Sequence, residues 1–528
     1  MVLKANWSQR EVPPAFIWVL ATVVAIVSGH WLQSGTHLNH DVAWIAHSAR
    51  WLLEGRRFGI DVLDPNPPLA WWLSMPAAWI TEMGWASEAF AVRLLFWSYF
   101  AISAALLMHM LSYLEGHEQA GTIGWRIAFI VMATLAPAAS FGQREYLSVL
   151  FAMPYLAAAA VRLQGTRQPG PIAFAAAGLL AGIGFAIKPY FLAVPLLIEC
   201  LLVVRLRWRS LLRIENLVLG STVLAYLAAI VVLVPQYLEF TVPLMRSIYW
   251  AFEPTEFSVV LARYASVSDG FVLGTLIALL ARRWTRQHSV LLLGGAGYSV
   301  SYFIQAKGFV YHAFPVLLCA VLFLGVSLAS GLASLRSDRQ NLSRPFHAAI
   351  AAAIVLLALP VVKQTHDATA RWYFQYNIAS GSIGRYRQEV IKLVDDHAPT
   401  HDSYFFAFST HPYPAFPTAS YTIADFSSRS ATQGILAAYA RRDELSDATQ
   451  KDNVIKAAEL QRQMVIEDLE KRPPSIVFLE RGERRFGLNG RQFDDLAFYM
   501  EDADFQNIWS RYDERPPLGP LRVFIRRQ

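Results

Sequence analysis

The stretch NHDVAWIAHSARWLLEGRRFGIDVLDPNPPLAWWL, residues 39–73, decides the fold of this 528-residue chain. It follows an apolar run, residues 14–33, that is long enough to cross a membrane as a helix. Several carboxylates and an asparagine stand there among tryptophans and prolines, although a connecting loop would need none of them. Their position beside a membrane helix indicates chemistry at the bilayer surface on a lipid-linked substrate.

Composition predicts a polytopic α-helical membrane protein. Hydrophobic residues make up 55% of the chain and the mean hydropathy is +0.32. The first apolar run lacks a small-residue cleavage site, so we expect it to remain as a helix and not to be removed as a signal peptide. Cys200 and Cys319 lie inside apolar runs and indicate neither a disulfide nor a zinc site.

Apolar runs of membrane-spanning length predict about eleven transmembrane helices. The predicted spans are residues 14–33, 88–111, 125–141, 146–162, 171–187, 190–204, 216–235, 258–281, 288–305, 312–334 and 346–363.

Arginines predict the orientation of these spans, because positive residues in short loops are retained in the cytoplasm. The loops 162–170, 205–213, 281–287 and 335–344 are rich in arginine and contain almost no acid. We therefore expect a multi-pass protein of the inner (plasma) membrane with a cytoplasmic N-terminus. These arginines also account for much of the net charge of +6, so no nucleic-acid partner is expected.

Two domains are predicted: a transmembrane domain over residues 1–363, with an outer loop at 34–87, and a soluble α/β domain over 364–528 outside the cytoplasm. In the second domain, aromatic and β-branched runs predict strands, and helical spacing with alternating charge predicts a helical region. The strands are 403–408, 475–480 and 521–526, the helical region is 433–471, and the aromatic, proline-rich stretch 408–422 either covers the site or forms a rigid loop, the favoured interpretation.

Asp41 is the leading candidate for a catalytic residue. Asn39 predicts the N-cap of a helix that runs to about Gly55, and Asp41 then lies in its first turn, where the backbone dipole favours a carboxylate. Helix stabilisation alone is an equally good explanation. An ionised carboxylate that faces a wet cavity would also serve as a general base.

A second helix is predicted in the same outer loop. Two prolines follow Asn66, and proline fits the first helical turn without losing a hydrogen bond. We expect the helix to run from Leu69 to Ile80 in the membrane interface, with aromatic anchors at headgroup depth. These anchors are Trp71, Trp72 and Trp79.

This order of features resembles the GT-C superfamily of glycosyltransferases. The shared features are one transmembrane helix, an outer loop with an acidic residue on a short helix, and a [KHN]-P-P-L motif, here residues 66–69. Within the superfamily, the pattern is similar to the protein O-mannosyltransferases and to the aminoarabinose transferases that modify lipid A. In architecture the resemblance covers about residues 10–363.

The resemblance implies a GT-C-like fold and transfer of a hexosyl or pentosyl group at the outer membrane face. The donor would be a polyprenyl-phosphate sugar, the acceptor a lipid, glycan or protein, and Asp41 would match the catalytic aspartate. Two departures stand out: Val42 follows Asp41 where many relatives have glutamate, and Asn66 replaces a lysine that helps the aminoarabinose transferases hold the lipid phosphate. Either the phosphate is held elsewhere or the donor differs.

Candidates for holding the phosphate lie on the predicted outer face, where ionisable residues at membrane depth are usually functional. Arg144 could instead pair with Glu145 or anchor the interface, and Lys188 could extend to the headgroups. The phosphate-binding candidates are Arg144, Lys188, Lys307, Tyr311 and His312, and the further substrate-site candidates are Asn66, Glu145 and Asp64.

The resulting hypothesis is a single displacement that inverts the anomeric configuration. Asp41 accepts the proton of an acceptor hydroxyl, and the leaving phosphate is held by Lys307, Arg144 or Lys188. No cofactor and no metal site is assigned. A divalent cation held by Asp61 or Asp64 is an open alternative, because some GT-C relatives use one.

Two other classes of function stay open. A lipid or glycan transporter (flippase) also carries charged residues in its membrane region, although it more often shows related halves with broken helices, and no internal repeat is evident here. The chain could also be a non-catalytic envelope-assembly protein whose outer domain binds a partner.

The predicted topology can be tested with reporter fusions. We expect alkaline phosphatase to be active when fused at Gln528 and inactive when fused after Arg213, because the enzyme folds only outside the cytoplasm. A green fluorescent protein fused at the same two positions should give the opposite pattern. Phosphatase activity after Arg213 together with none at Gln528 would overturn the arrangement.

Overall fold

The structure is a computed structural model that describes residues 14–252, 256–337, 344–482 and 485–527. The N-terminal segment predicted to be cytoplasmic and most of the predicted cytoplasmic loop 335–344 lie outside the described residues.

The membrane part consists of long apolar helices with shorter ones between them, and seven of the described helices are long and apolar enough to cross a membrane. Each predicted span falls on a helix, so the chain is a multi-pass helical membrane protein, while the total of eleven spans stays a prediction. The helices are α1 Pro14–Ser34, α2 His40–Leu53, α3 Leu69–Glu82, α4 Glu88–Leu111, α5 Gln119–Thr134, α6 Arg144–Gln164, α7 Pro171–Ala186, α8 Ala193–Leu206, α9 Ile214–Leu233, α10 Val242–Ile248, α11 Phe257–Leu280, α12 Arg286–Gln305, α13 Val310–Ser337 and α14 Arg344–Tyr376.

The outer loop forms the two predicted helices, α2 and α3. Asn39 caps α2, because its side-chain oxygen accepts a hydrogen bond of 2.9 Å from the backbone N–H of Asp41. The two helices pack together, and the indole N–H of Trp71 donates to Ser48 Oγ at 2.7 Å. Since Trp71 is fully buried, its expected role as an aromatic anchor is wrong, whereas Trp79 remains 47% exposed.

Glycines allow the membrane helices to approach closely. A Cβ at Gly297 on α12 would lie 2.5 Å from the Cα of Val194 on α8, and a Cβ at Gly124 on α5 would lie 2.0 Å from the carbonyl oxygen of Gly325 on α13. Small residues at helix interfaces are typical of membrane proteins. The glycine cluster over residues 291–299 therefore serves helix packing.

The C-terminal part is an α/β unit around a mixed sheet of order β2-β1-β3-β5-β4. Strand β1 pairs in parallel with β2 and β3, while β5 is antiparallel to β3 and β4. The elements are α15 Ser382–His397, β1 Tyr404–Phe408, α16 Ala415–Thr418, β2 Asp425–Phe426, α17 Gly434–Ala440, α18 Ala448–Lys471, β3 Ile476–Glu480, α19 Asp495–Tyr499, α20 Ala503–Trp509, β4 Tyr512–Leu518 and β5 Leu521–Arg526.

The three predicted strands and the helical region agree with these elements. Helix α14 continues past residue 363 to Tyr376, and the domain division at that residue stays a prediction.

A buried polar network joins the C-terminal unit to the outer loop. Asp425 on β2 accepts a hydrogen bond of 2.6 Å from Nε2 of His47 on α2, and the other nitrogen of His47 lies 3.2 Å from a carboxylate oxygen of Glu88. Arg50 and the indole N–H of Trp51 contact the same Asp425 carboxylate, at 3.4 Å and 3.2 Å. The network fixes the edge strand of the sheet against α2.

Asp425→Asn is expected to lower the melting temperature of the detergent-solubilised protein, since it takes the shared carboxylate away from the buried His47 and the partly exposed Arg50. Loss of one partner of a buried charge network costs about 3 kcal/mol. Asp396→Asn is the matched control, because Asp396 forms an exposed pair with Lys392 within one helix. Equal melting temperatures for the two variants would contradict this role of Asp425.

The network should also respond to pH. Despite burial, contacts with His47 and the neighbouring arginines hold the pKa of Asp425 well below its ordinary 3.8, so its contribution is lost as the pH falls through the folded pKa. Although burial and Arg50 oppose it, Glu88 and Asp425 raise the pKa of His47 above 6.5, so its contribution is lost as the pH rises through that raised value. Thermal melts should therefore show the largest difference between the native chain and Asp425→Asn between about pH 4 and 6.5.

Candidate active site

A cavity of about 410 Å³ lies between the outer loop, the ends of several membrane helices and the C-terminal unit. All but one of the predicted site residues line it; the exception is Glu145, which contacts two of the lining residues. The predicted residues in the wall are Asp41, Asp64, Asn66, Arg144, Lys188, Lys307, Tyr311 and His312.

Asp41 faces this cavity from the first turn of α2. Its side chain is 21% exposed and accepts a hydrogen bond of 3.0 Å from Gln143 Nε2, which also donates to Asn39 Oδ1 at 2.7 Å. Nε2 of His40 lies 3.7 Å from the other carboxylate oxygen. The carboxylate is thus oriented by its neighbours while still reachable from the cavity.

The surroundings keep Asp41 ionised. Burial alone would raise its pKa, but His40, the Arg144 guanidinium and the Gln143 amide together hold the pKa below the ordinary 3.8. His411, which stacks edge-on against His40 with ring centres 4.5 Å apart, is kept neutral because burial lowers its pKa to about 3. At neutral pH the cavity therefore offers the ionised Asp41 carboxylate near the uncharged imidazole of His411.

Arg144, the first residue of α6, supplies a cation to the cavity. It is 6% exposed, and its Nε has no hydrogen-bond partner within the described part of the chain. The alternative of a salt bridge with Glu145 is not what the structure shows, because Glu145 pairs with Lys188. A buried guanidinium without a carboxylate partner is suited to binding an anion in two-point contact.

Lys188 and His312 share one buried acid. Lys188 Nζ lies 2.6 Å from Glu145 Oε1 and 3.1 Å from Gln305 Oε1, and His312 Nε2 lies 3.4 Å from the same Glu145 oxygen. Glu145 is fully buried, and its carboxylate holds Lys188 in place. Lys188 is thereby a charge-compensated residue of the wall, in contrast to Arg144.

Lys307 reaches the cavity from the segment before α13. Its ammonium donates to the backbone carbonyls of Tyr249, at 3.4 Å, and of Phe252, and it lies 4.7 Å from the centre of the Tyr249 ring. Tyr311 lies next in the wall, with its ring 4.5 Å from that of His312. The sequence pattern missed Tyr249, which precedes a stretch without regular periodicity.

Asp64 and Asn66 are joined by hydrogen bonds. The backbone N–H and the side-chain amide of Asn66 both donate to Asp64 Oδ1 at 2.8 Å, and Trp44 Nε1 donates to Asp64 Oδ2 at 2.9 Å. Burial raises the pKa of Asp64 above its ordinary value. Asn66 thus shapes the wall beside Asp41 without adding a charge.

The residues do not fit a divalent cation. Asp61 is bound by the backbone and side chain of Arg57, at 2.8 Å and 3.4 Å, and Asp64 already accepts the contacts from Trp44 and Asn66. No cluster of three or more His, Cys, Asp or Glu side chains suited to a metal occurs among the residues that the structure describes.

The C-terminal unit forms the roof of the cavity. Loops that follow the carboxyl ends of the parallel strands β1, β2 and β3 contribute Thr410–Pro412, Ser430–Thr432 with Gly434, and Phe486 to the wall. In open α/β sheets, ligands bind at this edge. The stretch 408–422, for which simply a rigid loop was the favoured interpretation, therefore contributes to the wall of the cavity, and His411 is a wall residue that the sequence did not single out.

The fold and this cavity define a multi-pass membrane protein with a GT-C-like architecture, as the outer-loop pattern implies. Among solved structures, the chain resembles the crystal structure of ArnT from Cupriavidus metallidurans bound to undecaprenyl phosphate, with a TM-score of 0.54 and 13% sequence identity over 97% of this chain and 98% of that one. This likeness establishes the fold.

The chain also has a relative by sequence. A dolichol phosphate-mannose mannosyltransferase from Haloferax volcanii is 26% identical over 251 residues, 45% of this chain. The match spans about half of that relative, 48% of its length. No family model matches the chain.

The Lys188 ion pair can be tested apart from any activity. Lys188→Met is expected to lower the melting temperature strongly, because an isolated buried carboxylate at Glu145 costs about 3 to 5 kcal/mol. The double variant with Glu145→Gln should recover most of the loss. Lys363→Met, which removes an exposed pair with Asp367, is the control. A double variant as unstable as Lys188→Met would contradict the pairing.

Proposed function

We propose that this chain is an inverting glycosyltransferase that moves a hexosyl or pentosyl group from a polyprenyl phosphate to an acceptor hydroxyl at the outer face of the inner membrane. One observation carries the proposal: the ionised Asp41 carboxylate faces the same cavity as the Arg144 guanidinium, which pairs with no carboxylate in the described part of the chain. A base and an anion site are the two groups that transfer from a sugar phosphate needs.

The polyprenyl-phosphate donor is supported by two independent similarities. The curated relative is named for dolichol phosphate-mannose, and the structural neighbour holds undecaprenyl phosphate. The two share a long isoprenoid chain with a phosphate head. An amphiphile of this kind suits a cavity whose walls combine membrane helices with basic side chains.

In the proposed reaction, Asp41 accepts the proton of the acceptor hydroxyl as the oxygen attacks the anomeric carbon. The bond from this carbon to the phosphate oxygen breaks, and the polyprenyl phosphate leaves with the electron pair. One displacement inverts the anomeric configuration. The phosphate is a good leaving group once its charge is stabilised, so no general acid is required.

The cations of the wall differ in what they offer the leaving phosphate. Arg144 has its hydrogen-bonding capacity available, whereas Lys188 is neutralised by Glu145 at 2.6 Å. Lys307 is held over the Tyr249 ring by carbonyl contacts. We therefore assign the main phosphate contact to Arg144, with Lys188 and Lys307 adding a positive field around it.

Asp41→Asn tests the proposal. In reconstituted membranes supplied with radiolabelled polyprenyl-phosphate sugars and an envelope fraction as acceptor, we expect transfer to fall by about 10² to 10⁴-fold, the usual contribution of a general base. Binding of undecaprenyl phosphate should persist, because asparagine keeps the size of the side chain and Arg144 is unchanged.

Asp61→Asn serves as the matched control, since it removes an acid of the same outer loop that is paired with Arg57 outside the cavity wall. Transfer should be retained in this variant. Unchanged transfer in Asp41→Asn would eliminate the general base, and an unmodified chain that moves a labelled lipid across the bilayer without transferring its sugar would favour a flippase.

A further inference from the structure

A second cavity, of about 200 Å³, adjoins the first one and has no role in the mechanism above. It lies between the end of α1, the end of α14 and the first turns of α15, and it shares His40 and His411 with the first cavity. Its polar walls are basic or neutral. The polar and aromatic side chains that line it are Gln33, His37, Asn39, Arg93, Trp372, Tyr376 and Arg387.

Arg387 is the central charge of this second cavity. It is 9% exposed and lies between the rings of Tyr376 and Tyr413, 5.1 Å and 5.4 Å from their centres. Within the described part of the chain, its guanidinium makes no ion pair with a carboxylate, and burial lowers its pKa.

Arg93 adds a second positive charge. It is 7% exposed, and its Nη2 donates to the carbonyl oxygen of Thr36 at 2.7 Å and to the Tyr421 hydroxyl at 3.1 Å. These acceptors are neutral, and Arg93 forms no ion pair with a carboxylate among the residues that the structure describes. No aspartate or glutamate lines the cavity among the described residues, and His37 is neutral because burial lowers its pKa to about 4.

Two buried arginines without a carboxylate are an unfavourable arrangement unless an anion completes it. Desolvation of a guanidinium costs several kcal/mol, and a bound anion with good geometry offsets that cost. The structural alternative is that cation–π contacts alone hold Arg387, but such contacts are weaker than the cost of desolvating a guanidinium. The basic walls are therefore better explained by a ligand than by packing.

We infer that the second cavity binds an anionic group, a phosphate or a carboxylate, of the acceptor molecule. The inference rests on the proposed function, because the wall shared by the two cavities places such an acceptor beside Asp41. An anion held by Arg387 and Arg93 leaves a nearby hydroxyl of the same molecule at the His40–His411 wall, next to the base. Trp372 and Tyr376 offer ring faces to the sugar or chain that carries the anion.

Each of the two cavities binds the anionic group of a different substrate. Arg144 and the lysines of the first cavity serve the donor phosphate, while Arg387 and Arg93 serve the acceptor. Selectivity for an acidic acceptor then follows from desolvation, since an uncharged acceptor would leave both arginines buried and uncompensated.

Phosphate binding tests the inference without requiring activity. The full-length protein in nanodiscs is dialysed against ³²P-labelled inorganic phosphate, with saturating undecaprenyl phosphate to fill the donor site. We expect saturable binding to the native chain that is weakened at least roughly tenfold in Arg387→Gln, as for a lost charge-assisted hydrogen bond, and partly restored in Arg387→Lys. Arg385→Gln removes an exposed charge from the same helix and should bind normally.

Steady-state kinetics test whether the anion belongs to the acceptor, and chemical treatment of the acceptor identifies the anion. The apparent KM for an envelope acceptor fraction should rise in Arg387→Gln while the KM for the donor stays constant, which also shows that the variant is folded. Phosphatase treatment of the fraction abolishes transfer if the anion is a phosphate, and carbodiimide coupling to methylamine abolishes it if the anion is a carboxylate.

Three results would overturn the inference: phosphate binding equal in the native chain and Arg387→Gln, an unchanged acceptor KM, or transfer that survives both chemical treatments. A failure of the proposed function would give a different set of results. In that case undecaprenyl phosphate does not bind and no transfer occurs, while the loss of one phosphate site in Arg387→Gln still supports the anion cavity.

Discussion

The ion pair between Lys188 and Glu145 is the interaction on which the arrangement of the candidate site depends. A fully buried carboxylate is tolerated only with a close cation, and Lys188 supplies it at 2.6 Å. The pair ties the start of α6 to the junction before α8, and His312 adds the start of α13 at 3.4 Å. Because Glu145 pairs with Lys188 through Oε1, and Nε of the adjacent Arg144 has no hydrogen-bond partner among the described residues, Arg144 remains available to the cavity.

The C-terminal unit closes the side of the cavity that the membrane helices leave open. Its parallel strands end at the cavity, and their loops supply the roof. The edge strand that precedes one of these loops is held by Asp425, whose carboxylate contacts His47 at 2.6 Å. The same contacts that dock the unit on α2 therefore position the wall opposite Asp41. A change in docking would alter the cavity even if every membrane helix stayed in place.

Local patterns in the sequence predicted the helices and strands. They did not predict contacts between residues that are far apart in the chain. Asn39 and the paired prolines predicted α2 and α3 because capping and proline geometry act within a few residues. Trp71 was misplaced because amphipathicity does not reveal that α3 packs on Ser48 of α2. The partner of Glu145, 43 residues away in Lys188, and the position of His411 depend on tertiary contacts that no periodicity records.

The separation of charges also bears on how a carboxylate near so many cations can act as a base. Arg144 helps hold the pKa of Asp41 down, which keeps the carboxylate ionised but weakens it as a proton acceptor. In the proposed donor complex, the phosphate neutralises Arg144, and the pKa of Asp41 must then rise towards its ordinary value. Asp41 would thus become a stronger base only when the donor is bound, so that proton transfer is linked to the presence of the sugar that the acceptor attacks.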